Sequence, residues 1–170
     1  MAIKVGDRMP SGTLKMMTKD GPKEVSSEDL FKGKKVVLFS VPGAFTPTCD
    51  AKHLPGFVQL ADQIRAKGVD TIACMSVNDV FVMNAWGKAS SVGDKVTMLA
   101  DGNGDYAKAL GLELDARKFG MGTRGQRFAV VVEEFFGERD LEVRRQWRQV
   151  AFEQRAETAE QHAQLRCALQ

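Results

Sequence analysis

Residues 34–57 read KKVVLFSVPGAFTPTCDAKHLPGF. Val36, Val37, Leu38 and Phe39 form an unbroken apolar run without the polar alternation of a half-exposed strand. Such a run predicts a buried strand covered on both faces. Pro42 and Gly43 then break the strand, and a helical pattern begins. Thr46 is a favoured N-cap residue, and Pro47 suits the first helical position, where its missing N–H would be unpaired in any case. Thr48 and Cys49 become the second and third helical residues. Helical spacing continues to about Ala66, with Phe57, Leu60, Ala61 and Ile64 on one side. The stretch therefore predicts a core strand that feeds a helix, with a thiol at the junction.

The same alternation extends outward. TLKMMT (13–18) reads as a strand, Asp20-Gly21-Pro22 as a turn and SSEDLF (26–31) as a short capped helix. VDTIACMSV (69–77) is a second buried strand. Asn78 or Asp79 can cap a helix that carries Phe81, Val82, Ala85 and Trp86. KVTMLAD (95–101) is a third strand, GDYAKALG (104–111) a short helix ending at Gly111, and RFAVVV (127–132) a fourth strand. Strands and helices in this rhythm predict an α/β layer fold with much parallel pairing. From Glu133 the text changes to a Glu-, Gln-, Arg- and Ala-rich tail, in which Val143, Trp147, Val150 and Ala151 fall at helical spacing. One long helix is expected there.

The chain has 170 residues, 44% hydrophobic and 27% charged, as one globular domain would. A net charge of +2 gives no reason to expect nucleic acid or an anionic membrane surface as partner. MAIKVGDRMPSG at the N-terminus has no apolar secretory core, and no apolar stretch approaches the ~20 residues of a membrane helix. Three widely spaced cysteines, Cys49, Cys74 and Cys167, do not resemble a secreted disulfide framework, and a cytoplasmic, reducing location is expected.

A sulfur in the first turn of a helix faces unpaired backbone N–H groups and the positive end of the helix dipole. Both favour thiolate, the nucleophilic form. Cys49 can thus be an activated nucleophile, or a small apolar residue packed under the helix. Arg127, at the start of RFAVVV, can point to the sheet end where α/β sites collect, or be a solvated strand-edge arginine.

The wording goes further than position. VPGAFTPTCDAKHLPGF resembles the active-site segment of type II, peroxiredoxin-five-like peroxiredoxins, with Pro-x-x-x-Thr-x-x-Cys met by Pro42, Thr46 and Cys49. ACMSVNDVFVMNAW, LADGNGDYAKALGL and GMGTRGQRFAVVVE continue the resemblance, in order, to about Glu133. It implies a thioredoxin-like fold, a central mixed β-sheet flanked by helices, over residues 1–133. Residues 134–170 would be an atypical, helical extension in place of the family's last strand and helix, leaving the neighbouring strand edge exposed.

The resemblance also implies a thiol-dependent peroxidase acting on hydrogen peroxide and organic hydroperoxides. Cys49 would be the peroxidatic cysteine, cycling through sulfenic acid. Thr46 would hydrogen-bond the sulfur and the peroxide, Pro42 would shield the site, and Arg127 would orient the peroxide. No metal or organic cofactor is implied. Glutathione with glutaredoxin, or thioredoxin, would be the reductant, and the protein would be a homodimer.

Cys74 has a spacing from Cys49 similar to that of the second cysteine of plant-like type II members, and could resolve the sulfenic acid. A cysteine inside a core strand reaches a helix-start sulfur only if a segment moves, since a disulfide needs Cα atoms within about 7 Å. Direct attack of the external thiol on Cys49 needs no second cysteine. Cys167 matches no position of the family. His53, one turn past Cys49, invites a Cys–His reading, but a packing or hydrogen-bonding role is expected. Phe119 can line the pocket, form a dimer contact or simply pack its loop.

Two other functions compete with the peroxidase. A thioredoxin-like disulfide oxidoreductase needs Cys-x-x-Cys, and Cys49 is followed by Asp50-Ala51-Lys52. A non-catalytic thioredoxin-fold peroxide sensor or redox relay would keep the same fold and pass oxidation to a partner.

Overall fold

The computed structural model of the chain describes residues 1–134 and 141–144. β1 (Thr13–Thr18) and β2 (Gly21–Ser26) form an antiparallel hairpin. Then come α1 (Ser27–Phe31), β3 (Lys35–Ser40), a π-helical turn (Cys49–His53) that runs on into α2 (Leu54–Arg65), β4 (Thr71–Ser76), α3 (Val80–Ala89), β5 (Thr97–Ala100) and α4 (Asp105–Ala109). A small separate hairpin, β6 (Glu113–Asp115) with β7 (Thr123–Gly125), precedes β8 (Phe128–Glu134) and β9 (Leu141–Arg144). The main sheet has seven strands in the order β2-β1-β5-β4-β3-β8-β9. β3, β4 and β5 run parallel at its centre, and the other pairings are antiparallel. The sheet is therefore mixed, as expected.

The unbroken VVLF run has a simple cause. Val37 and Phe39 pack with Leu54, Ala61 and Ile64 of α2 and with Met83 and Trp86 of α3. Val36 and Leu38 pack on the opposite face with Leu30 and Phe31 of α1 and Tyr106 of α4. Since successive side chains of a strand point to opposite faces, a strand covered twice must be apolar throughout. Phe57 of α2 lies parallel on Phe39 at a centroid distance of 3.8 Å. Such aromatic pairs contribute roughly 0.5–1.5 kcal/mol beyond their burial, which fixes α2, and with it the turn before it, on the sheet.

Helix starts follow the predicted chemistry in two cases. Ser26 Oγ accepts from the Asp29 N–H and caps α1. Asp79, not Asn78, caps α3, its Oδ1 accepting from the N–H groups of Phe81 and Val82, each at 2.9 Å. Asn78 is thereby left for another task.

The expected long helix does not include Leu141–Arg144. That segment is β9, paired antiparallel to β8 with Val132 opposite Val143 and Glu133 opposite Glu142. The edge of β8 that was expected to be exposed is thus covered. A bare sheet edge offers a row of unpaired N–H and C=O groups, and pairing with it outweighs a helix preference of a few tenths of a kcal/mol per residue, about the spread of helix propensities. The sheet consequently runs past the boundary expected at residue 133. Trp147, Val150, Ala151 and Cys167 lie outside the described residues.

Candidate active site

Two loops meet at the carboxyl ends of the parallel strands β3 and β4, where α/β sheets gather their sites. The loop after β3 carries Pro42 to Thr46, and the loop after β4 carries Val77 to Asp79. Thr46 N–H and Thr46 Oγ1 both donate to the Gly43 carbonyl, at 3.4 and 2.8 Å, closing a tight turn over Ala44 and Phe45. Phe45 occupies the third position of that turn with φ +58°, a left-handed conformation that usually falls to glycine or asparagine. A Cβ added at Gly43 would lie 3.0 Å from Thr46 Cγ2, so a side chain there would require the Thr46 methyl to give by a few tenths of an ångström.

Helical structure begins at Pro47, and Asp50 N–H donates to the Thr46 carbonyl at 2.9 Å. The expected helix start is therefore correct, but the Thr46 hydroxyl spends its proton on Gly43 rather than on the sulfur. The turn then widens. Leu54 N–H reaches back to the Cys49 carbonyl, one residue further than in an α-helix. Pro55 accounts for this: it has no N–H for the Ala51 carbonyl, and its ring would clash with that carbonyl in an α-helical turn.

Cys49 opens the widened turn and is 1% exposed. Arg127 Nη2 donates to its Sγ at 3.3 Å. The sheet register brings the two together across the sequence. Ser40, the last residue of β3, pairs with Phe128, the first of β8, so Arg127 stands beside the chain leaving β3. A guanidinium is a permanent cation with a fixed fork of donors, suited both to an anionic sulfur and to an oxygen acquiring charge beside it.

Pro42 heads the loop, half-buried. His53 donates from Nδ1 to the Thr48 carbonyl at 3.1 Å, because a carbonyl can only accept. Burial first, and then the Arg127 charge, hold His53 below its ordinary value, so the ring is neutral with its proton on Nδ1. This is the hydrogen-bonding role expected of it. Phe119 is exposed with Lys118 Nζ 4.9 Å from its ring centre, on the turn between β6 and β7.

Cys74 sits in β4 between Phe39 of β3 and Met98 of β5, fully buried, in the same apolar cluster as Cys49. Both thiols are free. Burial, and secondarily Cys49, push the Cys74 thiol well above its usual range, so it is held neutral, the less nucleophilic form. Among the described residues no three His, Cys, Asp or Glu side chains converge as metal ligands.

Three further residues, Asp50, Asn78 and Arg124, shape the site, and no pattern in the sequence gave them these roles. Asp50 Oδ1 accepts from Trp86 Nε1 at 2.7 Å, tying the residue after Cys49 to a fully buried indole of α3. Asn78 Oδ1 accepts from Ala44 N–H at 2.9 Å. Arg124 donates from Nε to Met121 O and from Nη1 to Val77 O, each at 2.8 Å, binding the β6–β7 hairpin to the loop after β4.

The redoxin family profile matches residues 4–134. Peroxiredoxin-2B of Arabidopsis thaliana is 49% identical over 133 residues, spanning 78% of this chain and 82% of its own. The reduced Prx3 of Vibrio vulnificus, solved in complex with hydrogen peroxide, superposes with a TM-score of 0.75 at 49% identity, over 85% of this chain and 89% of that one. Peroxiredoxin 5 of Alvinella pompejana superposes with a TM-score of 0.72 at 38% identity, over 85% and 90%. With the thioredoxin-like sheet, the thiol at the helix start and the arginine beside it, these likenesses establish that the chain belongs to the redoxin family and is a peroxiredoxin of the type II, peroxiredoxin-five-like group, a thiol-dependent peroxidase.

Proposed function

We propose that Cys49 is the peroxidatic cysteine of this peroxidase, with Arg127, Thr46 and Pro42 completing its site. The observation that carries the reading is the Arg127 donor 3.3 Å from a sulfur that is 1% exposed. The Cys49 thiolate attacks one oxygen of the peroxide, the O–O bond breaks, and the sulfur becomes a sulfenic acid. The other oxygen leaves with the bonding pair, takes up a proton and departs as water or alcohol. Arg127 offsets the charge that passes from sulfur to leaving oxygen. Thr46, whose proton is committed to Gly43, keeps lone pairs with which to accept from the peroxide O–H and orient it. The Pro42 ring limits water at the sulfur. Positioning and electrostatics carry the step, so no metal or organic cofactor enters it. Hydrogen peroxide and organic hydroperoxides are both substrates.

Reset follows from an external thiol, glutathione with glutaredoxin or thioredoxin. It attacks the sulfenic sulfur and releases water, and a second thiol then displaces the mixed disulfide and returns Cys49 to the thiolate. The neutral, enclosed state of Cys74 supports direct attack at Cys49 over an internal disulfide. The wide, unframed spacing of Cys49, Cys74 and Cys167 supports a reducing, cytoplasmic location. The protein is read as a homodimer, as the resemblance to type II peroxiredoxins implies. Hydrogen peroxide consumption with excess dithiothreitol tests the reading. Turnover by the wild type that vanishes in Cys49→Ser is the expected result, and turnover retained in the variant refutes it.

A further inference from the structure

Phe45 holds a left-handed backbone conformation with half of its side chain in water, and the Trp86 ring lies tilted to it at a centroid distance of 6.4 Å. Side-chain packing that loose does not impose a strained φ, and strain of this kind persists only where the surroundings over-determine it. Two hydrogen-bonded fixings flank Phe45. On one side Thr46 bonds the Gly43 carbonyl through both N–H and hydroxyl. On the other the Ala44 N–H is held by Asn78 Oδ1, from a loop 34 residues away in sequence. The first is internal to the turn and cannot locate it relative to the sheet. The second can.

Asn78 is itself fixed. Ser76 Oγ donates to the same Oδ1 at 2.8 Å, and Ser76 is fully buried at the end of β4. Asn78 is free for this because Asp79 alone caps α3. The backbone preceding Asn78 is pinned as well, the Val77 carbonyl accepting from Arg124 Nη1 at 2.8 Å. A chain of contacts thus runs from the sheet through Ser76 and Asn78 to Ala44, and from there through the turn to Thr46.

We propose that Asn78 is a positioning residue of the peroxidase: it fixes the Pro42–Thr46 turn so that the lone pairs of Thr46 stand where the peroxide must be held beside Cys49. It touches neither the sulfur nor any group of the substrate, and it acts through Ala44. The proposal rests on the reading of Cys49, Thr46 and Pro42 given above.

The test separates peroxide positioning from thiol reactivity. The rate constant for Cys49 oxidation by hydrogen peroxide and that for its alkylation by iodoacetamide are measured in the wild type, Asn78→Ala, Asn78→Asp and Ser76→Ala. Both reactions need the thiolate, and only the first needs an aligned peroxide. Loss of one orienting hydrogen bond predicts a fall of about tenfold or more in the peroxide rate of Asn78→Ala, with alkylation lowered by less than about threefold. Asn78→Asp keeps an acceptor oxygen for Ala44 and Ser76, so its peroxide rate, divided by its alkylation rate, stays within about threefold of wild type.

A smaller fall in Asn78→Ala, an equal fall in alkylation, or no recovery in Asn78→Asp overturns the proposal. Should Asn78→Ala not fold, Ser76→Ala decides, with a fall of at least about threefold expected and an unchanged rate overturning it. Failure of the underlying reading is seen separately, as peroxide consumption that survives Cys49→Ser.

Discussion

Replacing Arg127 gives the sharpest quantitative prediction. Its Nη2 stands 3.3 Å from Cys49 Sγ, at a sulfur that water scarcely reaches. Two unit charges at that separation interact by about 5 kcal/mol at an effective dielectric constant of about 20. The guanidinium is open to solvent on its outer side, so the net effect is discounted to that of a charge-assisted hydrogen bond, about 1.5–3 kcal/mol. Arg127→Gln should therefore lower the rate constant for hydrogen peroxide by roughly 10- to 150-fold, at 1.4 kcal/mol per tenfold. Arg127→Lys keeps the charge and loses the planar fork, and should fall between, lowered by about 3- to 10-fold. The assay is competition with a haem peroxidase for limiting hydrogen peroxide. An internal control is built into the site: the Arg127 charge is the second cause holding the His53 imidazole below its usual range. The His53 titration, followed by NMR, should move toward its ordinary value in Arg127→Gln and much less in Arg127→Lys. A peroxide rate within threefold of wild type in Arg127→Gln would refute the assignment of charge stabilisation to this residue, and an unmoved His53 would refute the geometry.

Two more predictions use the buried polar and ionisable groups. Asp50→Ala leaves the buried Trp86 Nε1–H unpaired and should cost about 1–3 kcal/mol in urea unfolding, whereas Asp50→Asn keeps an acceptor and should cost less than about 1.5 kcal/mol. In a Trp147→Phe background, Trp86 emission should shift in Asp50→Ala and stay put in Asp50→Asn; equal costs would show that the bond is not what matters. For Cys74 the sign is set by burial, which raises the folded value well above 9.0. Its contribution to stability is intact below pH 9 and declines as pH climbs from there toward the folded value, by up to about 1.4 kcal/mol per pH unit. Unfolding measured between pH 8 and 10 should show that loss in the wild type and a flatter profile in Cys74→Ala. The same variant should keep turnover with glutathione and glutaredoxin, and its loss would restore Cys74 as a resolving cysteine.

What could be read from the sequence was what local rules decide. The VVLF run declares a doubly covered strand because pleating alternates its side chains between two helical layers. Thr46 and Pro47 declare a helix start, and the helical structure begins at Pro47. Arg127 could be named through the resemblance but not placed, since its approach to Cys49 depends on the pairing of β8 with β3. Non-local contacts left no pattern: Asp50 finds Trp86, and Asn78 finds Ala44, across more than thirty residues. The tail misled for a related reason. Helix-favouring residues around Val143 gave a local signal that edge pairing with β8 overrode. The widened turn at Cys49 was visible in principle, since Pro55 falls inside the helical pattern, but a proline there is equally compatible with a kink or a break.

On the proposed role of Cys49, the enclosure that suits attack on the peroxide obstructs reduction by a thiol. Hydrogen peroxide is barely larger than water and needs only a narrow approach to a sulfur that is 1% exposed. A thiol reductant must bring its own sulfur in line with the Cys49 sulfur, and that approach needs space the closed site does not offer. Some restraint must therefore yield between the two steps. The π-helical turn is the element suited to it. It is held at one end by Trp86 through Asp50, at the other by the bond from Leu54 to Cys49, and beside it by Arg127. On that role, oxidation would act on the last of these directly, since it adds an oxygen to the sulfur that accepts from Arg127. The Asp50–Trp86 bond is then the side-chain brace that still ties the start of the turn to α3, and local openings are governed by small numbers of such contacts. Weakening that brace should leave the peroxide step little changed and speed the reductant step. Asp50→Ala, measured in single-turnover reduction of the preoxidised protein by glutathione, should thus react faster than wild type, and a slower reaction would mean that the brace serves the reductant rather than resisting it.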